Sequence, residues 1–240
     1  MKVINLISGP RNLSTALMYS FAQREDIIVV DEPFYGYYLK NAPLENPHPS
    51  QKEILNIMEL REQKIVETLN DQSIHKNVFV KGMAHHFLSE SPMYMLDWKN
   101  VFLIRHPKKL IASFSKVISN PRLSDIGVKK EAELFLFLQK KGKSPLVIDS
   151  DELLKNPKTY LNRICERLDI LFDERMLSWK KGGIAEDGIW AKHWYSNVHN
   201  SEGFAVQGSS SQPLPSHLKP LFDAALPYYD ILKNSILKNE

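Results

Sequence analysis

The sequence predicts an α/β fold with three layers, α/β/α, around a central and mainly parallel sheet of about five strands. Five short apolar runs end in polar or turn residues, at positions 3–7, 27–34, 77–81, 100–104 and 145–149. Segments with the apolar spacing of helices alternate with them. Apolar strands that alternate with helices are typical of a parallel sheet covered on both faces, where ligands bind beyond the carboxyl ends of the strands.

The N-terminal elements are a strand, a turn and a helix. Residues 3–7 lead into a turn at 8–10, and a helix is predicted from Ser14, whose side chain is placed to cap the first turn. The second strand, 27–34, ends in two carboxylates and a proline, and a loop is predicted over 41–50.

Strand and helix patterns continue to about residue 170. Apolar residues recur with helical spacing over 51–69, which predicts one long amphipathic helix. A loop rich in Gly, Ser and Pro covers 202–216 and precedes a closing helix at 216–237. Because no linker or repeat interrupts the pattern, we expect a single domain over 1–240.

The composition is that of a folded globular protein. Of 240 residues, 43% are hydrophobic and 25% charged, and the 31 basic and 28 acidic residues leave a net charge of +3, too balanced for general binding to nucleic acid. A single cysteine, Cys165, excludes an internal disulfide and a cysteine-rich zinc site. No apolar run approaches the roughly 20 residues of a membrane span, and the first run is too short for a signal peptide. We therefore expect a cytoplasmic protein with no membrane partner.

The loop SGPRNLST, residues 8–15, is the first candidate for a binding site. Between a strand and a helix, a loop presents unpaired backbone N–H groups and the positive end of a helix dipole to an anion. It is not a Walker A loop, because Ser14 stands where the second glycine belongs and the lysine is missing. Arg11 is placed to supply a cation, with Ser14 and Thr15 as hydroxyl donors. A plain turn with a surface arginine is the alternative.

The second strand permits another interpretation. IIVVDE is similar to a Walker B strand, in which Asp31 would hold magnesium in a P-loop kinase or NTPase. Its place directly after the first helix and the missing G-K-[ST] argue against that alternative. A strand end with solvated carboxylates is the third interpretation.

Residues 10–15, PRNLST, resemble the P-R/K-S-G-S/T-T loop of sulfotransferases, with Asn12-Leu13 in place of Ser-Gly. In that family the loop binds the 5′-phosphosulfate end of 3′-phosphoadenosine 5′-phosphosulfate (PAPS). Arg105, Pro107 and Ser113 match the family's R-x-P-x-x-x-x-x-S segment, whose arginine and serine bind the 3′-phosphate. The resemblance implies a P-loop nucleotide-kinase-like fold.

Three further segments agree with the family in order, so the resemblance spans residues 3 to about 195. Residues 149–170 resemble its scaffold segment after the sheet, and KKGGIAEDGIWAKHW resembles its late K-G-x-x-G-D-W segment, with an insertion before the tryptophan. VKGMAHHF resembles its K-T-H segment, with His85 four residues after Lys81 rather than two. The cofactor-binding residues that the resemblance implies are Pro10, Arg11, Asn12, Leu13, Ser14, Thr15, Arg105, Ser113, Lys181, Gly182 and Gly183.

The implied reaction moves the sulfuryl group of PAPS to a hydroxyl, or an amine, of an unidentified small acceptor. We expect Arg11 first, and Lys81 second, to meet the charge that grows on the leaving oxygen. Because the transferred group carries one negative charge, no metal is expected. The candidate bases are Glu32, which resembles the catalytic glutamate of carbohydrate and tyrosyl-protein sulfotransferases, and the pair His85 and His86, with His85 slightly ahead.

An acceptor pocket is expected beside these groups. The aromatic residues that either line it or pack in the core are Phe34, Tyr35, Tyr37, Tyr38, Trp190, Trp194 and Tyr195. A non-catalytic nucleotide-binding protein on the same fold stays open, since the loop and the histidine spacing are altered. The small acceptor is the partner we expect, and the sequence leaves a homodimer open.

Overall fold

The computed structural model describes residues 1–43, 48–205 and 214–238. At the centre of these residues lies a sheet of five strands: β1 (Val3–Ser8), β2 (Ile27–Asp31), β3 (Asn77–Met83), β4 (Lys99–Ile104) and β5 (Leu146–Asp149). Every strand pairing is parallel, in the order β2-β3-β1-β4-β5. The predicted α/β class with a parallel central sheet is confirmed.

Helices connect the strands. In chain order the described α-helices are α1 (Ser14–Ala22), α2 (Tyr35–Asn41), α3 (Gln51–Ile57), α4 (Glu62–His75), α5 (Pro107–Phe114), α6 (Leu123–Ile126), α7 (Val128–Lys140), α8 (Ser150–Lys155), α9 (Pro157–Arg167), α10 (Ala191–Trp194), α11 (Ser196–His199) and α12 (Lys219–Lys233). Single 3₁₀ turns occur at Ala84–His86, Met93–Asp97, Glu174–Leu177 and Ser216–Leu218. None of the described helices is both long and apolar enough to cross a membrane.

An apolar core lies on each face of the sheet, between the sheet and the helices that cover it. Ile4 and Leu6 of β1 point into one core, and Val3 and Ile7 point into the other, because successive side chains of a strand alternate between faces. The first core is covered mainly by α1 and α9, and the second by α4, α5, α7 and α12. The molecule therefore has the three predicted layers, and the strand ends meet at one edge of the sheet.

Three predicted boundaries are wrong. β2 ends at Asp31, because Glu32 takes a positive φ of 44° that a strand does not accommodate. The helix predicted over 51–69 is two helices, α3 and α4, because Met58 leaves the helical conformation and packs so closely over Gly36 of α2 that a Cβ there would overlap with it. The closing helix spans only Lys219–Lys233.

Two predicted loops extend beyond the described residues. Residues 44–47 of the loop at 41–50, and 206–213 of the loop at 202–216, lie outside them.

The β5 edge of the sheet is partly covered by residues 236–237. Ile236 forms a parallel bridge with Val147, and the Leu237 N–H donates to the Val147 carbonyl oxygen at 2.8 Å. The Tyr160 hydroxyl of α9 donates to the Leu237 carbonyl oxygen at 3.0 Å and accepts from the Asp149 N–H at 3.2 Å. These bonds satisfy backbone groups that an open edge would leave unpaired.

Candidate active site

A large cavity opens at the carboxyl ends of the strands. Its volume is about 1380 Å³, above the roughly 300–1,000 Å³ of a typical single-ligand pocket. The predicted site residues that line it are Pro10, Arg11, Asn12, Leu13, Ser14, Thr15, Glu32, Lys81, His85, Arg105 and Ser113. The structure thus brings the predicted loop, strand ends and α5 serine to one place.

The loop between β1 and α1 has a backbone suited to an anion. Arg11 and Leu13 adopt positive φ angles of 62° and 69°, a conformation that turns backbone N–H groups toward a common concave side. Leu13 stands where the family loop has glycine, yet it takes the left-handed conformation that glycine favours. Ser14 is the first residue of α1, which no described side chain caps, so the predicted Ser14 cap is wrong. The first N–H groups of the helix are left for a ligand.

Asn12 fixes this loop to the neighbouring strand ends. Its Nδ2 donates to the Leu103 carbonyl oxygen at 3.1 Å, and its own carbonyl oxygen accepts from Ser150 Oγ at 2.9 Å. Ser150 Oγ also lies 2.9 Å from the Ile104 carbonyl oxygen. Because Asn12 is only 1% exposed, its amide holds the loop against β4.

Arg11, Arg105 and Ser113 form a cationic cluster beside the loop. Arg105 Nη1 donates to the Arg11 carbonyl oxygen at 2.8 Å, and Arg11 Nε donates to Ser113 Oγ at 3.2 Å. Arg105 Nε is buried without a hydrogen-bond partner in the described part of the chain. Burial lowers the pKa of both guanidinium groups, because it removes their charge from water. A bound phosphate would supply the missing acceptor and the compensating charge.

Two carboxylates share one ammonium at the ends of β2 and β3. Lys81 Nζ donates to Asp31 Oδ1 at 3.0 Å, to the Tyr195 hydroxyl at 2.6 Å and to Glu32 Oε1. The sheet register places Asp31 directly beside Lys81. Burial alone lowers the pKa of Lys81, but the two carboxylates raise it above its ordinary value, so the ammonium stays charged.

The carboxylate of Glu32 is held at one oxygen only. Oε1 accepts from Lys81, whereas Oε2 lies 3.8 Å from His86 Nδ1, beyond hydrogen-bond distance. Burial raises the pKa of Glu32, and the Lys81 ammonium offsets part of that rise. A carboxylate with a raised pKa and one unengaged oxygen on a cavity has the properties of a general base near neutral pH.

The two histidines after β3 are uncharged near neutral pH. Burial lowers the pKa of His85 to about 4, and it lowers that of His86 well below the ordinary value. His86 stacks on Tyr35 with ring centroids 4.7 Å apart, and His85 meets Tyr38 edge-on at 5.1 Å. Of these two histidines, the sequence slightly favours His85 as the base. In the structure, His86 is the one that lies beside Glu32.

Most of the predicted aromatic residues line the cavity, and all of them pack in or against one of the two apolar cores. Tyr35, Tyr38, Trp190, Trp194 and Tyr195 line the cavity. The other two, Phe34 and Tyr37, pack in the second core. In the residues that the structure describes, no group of three or more His, Cys, Asp and Glu side chains has the arrangement of a metal site.

Lys181, Gly182 and Gly183 lie away from the rest of the predicted site. The Lys181 side chain is 63% exposed, and the Gly182 N–H donates to the His199 carbonyl oxygen at 2.8 Å. None of the three lines the cavity, whose wall on this side consists of residues between 197 and 205. The structure therefore does not bring the predicted KGG contacts to the loop and Arg105.

The family of the chain follows from a comparison with family models. The sulfotransferase domain model matches residues 1–236. The chain belongs to the sulfotransferase family. This membership agrees with the loop, Arg105 and Ser113 meeting in one cavity.

Two curated relatives of this chain come from Arabidopsis thaliana. Branched-chain-amino-acid aminotransferase-like protein 1 is 37% identical over 237 residues, and protein 2 of the same name is 36% identical over 235 residues. The matches cover 98% and 97% of this chain but only 42% of each relative. This chain therefore spans less than half the length of the two curated relatives.

Solved structures of sulfotransferases share the fold of this chain. The sulfotransferase domain of the Synechococcus PCC 7002 olefin synthase matches with a TM-score of 0.52 at 18% identity, over 93% of this chain and 94% of that one. The sulfotransferase domain from the curacin biosynthetic pathway matches with a TM-score of 0.55 at 16% identity, over 95% and 98%. A sulfotransferase from Alicyclobacillus acidocaldarius matches with a TM-score of 0.53 at 11% identity, over 98% and 95%.

The sequence does not predict that Tyr195 binds the charged side chains at the ends of β2 and β3. Tyr195 is expected only as a lining aromatic, yet its hydroxyl meets Lys81 across 114 residues of sequence. No spacing rule predicts such a contact. Two signals place this part of the chain near the site: the resemblance of residues 180–194 to a cofactor-closing segment, and the aromatic residues expected to line an acceptor pocket.

Proposed function

We propose that this sulfotransferase moves the sulfuryl group of PAPS to a hydroxyl, or an amine, of a small acceptor. The observation that supports it most is that an N–H-rich loop with two arginines and a buried carboxylate line the same cavity. A donor nucleotide at the loop and an acceptor at the carboxylate would face each other there. Proximity of this kind supplies much of the rate of a transfer reaction.

The donor end is argued from the unpaired groups around the loop. Backbone N–H groups of the loop and α1, with the Thr15 hydroxyl, fit the 5′-phosphosulfate. Arg105 and Ser113 fit the 3′-phosphate, because Arg105 Nε is a buried donor without a described partner. ATP has no phosphate at that position, so this pair favours the 3′-phosphorylated nucleotide.

The acceptor end is argued from Glu32. Its Oε2 is the oxygen that lacks a hydrogen bond within the described residues, and an acceptor hydroxyl placed between Oε2 and His86 Nδ1 bridges their 3.8 Å separation. The hydroxyl proton would pass to Glu32 as the oxygen attacks sulfur. A neutral His86 would hold that oxygen by a single hydrogen bond.

The leaving oxygen is assigned to Arg11. Lys81, the second candidate, has three donors, and Asp31, Glu32 and Tyr195 take all of them. We therefore propose that Lys81 holds the base and that Arg11 meets the charge on the departing phosphate oxygen.

Nucleotide preference tests the donor end. Calorimetry should show tighter binding of 3′-phosphoadenosine 5′-phosphate than of ATP, with or without magnesium. Equal or tighter binding of ATP, especially with magnesium, would instead favour the P-loop kinase or NTPase alternative.

Substitution of the base tests the acceptor end. Phenols, sugars and other small alcohols are screened with labelled PAPS, and Glu32→Gln should lose roughly 10² to 10⁴ in rate while it still binds the nucleotide. His85→Asn should lose much less, and Glu67→Gln, at a half-exposed glutamate of α4, serves as the control. Near-native turnover of Glu32→Gln would contradict its role as the base. Nucleotide binding without sulfation of any acceptor would favour the non-catalytic alternative.

A further inference from the structure

One buried hydroxyl, that of Tyr195, connects the charged groups at the ends of β2 and β3. Tyr195 lies between α10 and α11 and is 4% exposed. The side chains of Asp31 and Lys81 are 0% and 1% exposed. Buried polar groups are costly unless each is paired, so the partners of this hydroxyl determine how the charges are arranged.

The Tyr195 oxygen has a defined role for each neighbour. It accepts from Lys81 Nζ at 2.6 Å and from Trp190 Nε1 at 3.0 Å, which are donors only. Its own proton faces both oxygens of Asp31 at 2.9 Å and Glu32 Oε1 at 3.3 Å, so the shorter distances assign the proton to Asp31. Burial raises the pKa of Tyr195, which keeps that proton in place.

In this arrangement, one of the three Lys81 donors binds Glu32. Asp31 accepts from the Gly188 N–H at 3.0 Å as well as from Tyr195, so its charge does not depend on Lys81 alone. Without the Tyr195 hydroxyl, Asp31 would lose a donor and would draw the ammonium toward itself. Glu32 would then lose the positive charge that favours its ionised form.

We propose that Tyr195 is a positioning residue that, through Lys81 and Asp31, keeps Glu32 ionised with Oε2 facing the acceptor. The inference rests on the proposed function of Glu32 as the base. Five titratable groups surround Glu32 in the described part of the chain. They are Asp31 of β2, Lys81 of β3, His86 of the 3₁₀ turn after β3, Tyr35 of α2, and Tyr195 just before α11. The Lys81 ammonium lowers the pKa of Glu32, so loss of the hydroxyl that keeps this ammonium beside Glu32 should raise that pKa.

The first test is the pH profile of Tyr195→Phe. The acid limb of kcat/KM for the acceptor should move to higher pH by roughly one unit, which is about a tenfold loss below the limb and recovery above it. The dissociation constant for 3′-phosphoadenosine 5′-phosphate should stay unchanged. Tyr160→Phe, which removes a buried hydroxyl with one donated and one accepted hydrogen bond, should leave the profile in place. A loss that is the same at every pH would overturn the proposal.

The second test reads Glu32 without turnover. In protein labelled with ¹³C at the glutamate carboxyl carbon, the Glu32 signal, assigned by its absence in Glu32→Gln, should titrate at higher pH in Tyr195→Phe than in the wild type. An unchanged titration overturns the proposal even if the enzyme is active. If Glu32→Gln keeps full turnover, the proposed base is wrong, whereas the titration still decides what Tyr195 does. In an active enzyme, Tyr195→Phe should cost no further rate in the Glu32→Gln background, because residues acting as one unit are not additive.

Discussion

At the scale of single residues, Arg105 tests the 3′-phosphate site most directly. Arg105→Ala removes a buried guanidinium whose Nε has no partner among the described residues, and with it a charge-assisted contact worth about 1.5–3 kcal/mol, or one to two decades in affinity. Calorimetry with 3′-phosphoadenosine 5′-phosphate measures the loss. Arg175→Ala, at an exposed arginine paired with Asp173 and Glu25, is the matched control. An unchanged dissociation constant in Arg105→Ala would remove Arg105 from the site.

Arg11 should act on rate more than on affinity. The negative charge that we assign to it grows only as the sulfur–oxygen bond breaks, and stabilisation confined to the transition state appears in kcat. We expect Arg11→Ala to lower kcat by roughly 10² to 10³ and to weaken nucleotide binding less. Arg11→Lys, which keeps a cation there, should recover part of the rate. Equal losses in kcat and affinity would show that Arg11 binds the ground state just as strongly.

At the scale of elements, the loop between β1 and α1 packs closely against the turn between α6 and α7. A Cβ on Gly9 would overlap with the Ile126 carbonyl oxygen, a backbone atom that has no side-chain freedom to move away. Gly9→Ala should therefore destabilise the protein by about 1–3 kcal/mol and weaken nucleotide binding. Urea unfolding and calorimetry measure the two effects.

Gly142 provides the control for that change. Its φ is +75° and no atom lies within 4 Å of its virtual Cβ, so Gly142→Ala reports backbone strain without a clash. We expect Gly142→Ala to leave nucleotide binding intact. Wild-type binding in Gly9→Ala would show that the loop tolerates displacement.

Some elements follow from the apolar pattern of the sequence, whereas others depend on contacts with distant parts of the chain. All five strands follow from buried apolar runs, and Pro107 begins α5 as expected because its fixed φ suits a first helical position. The break between α3 and α4 does not follow, since it depends on Gly36 lying beneath Met58. Periodicity describes one segment at a time and contains no such partner.

The same division holds in the site. Arg11, Arg105 and Ser113 meet because parallel strands end at one edge of the sheet, which topology alone predicts. The engagement of Lys81 by Tyr195 and Asp31 depends on how the chain folds after the sheet is complete. The sequence therefore indicates which residues are near the cavity, and the structure decides which of their donors are still unused.

At the scale of the whole molecule, stability should depend on a carboxyl group behind the loop. Glu131 of α7 is 1% exposed and accepts a hydrogen bond from the Gly9 N–H, while its Oε1 has no partner among the described residues. Burial raises the pKa of Glu131 to about 8. Glu131 is therefore mostly a neutral acid at pH 7, on a helix that packs against both the sheet and α12.

The sign of the resulting pH dependence follows from which state binds the proton more tightly. Between about pH 4.5 and 8 the folded protein keeps the Glu131 proton and the unfolded chain releases it, so this stabilisation is complete below pH 4.5 and is lost as the pH rises toward 8. For one proton the slope is at most about 1.4 kcal/mol per pH unit. Glu131→Gln lacks this dependence, so the free energy of unfolding of the wild type, relative to that variant, should fall steadily across this range in urea titrations. Glu133→Gln, at a half-exposed position two residues away, should follow the wild-type curve. Parallel curves for the wild type and Glu131→Gln would mean that Glu131 ionises in the folded protein as it does in water, and that α7 and the loop tolerate a charge between them.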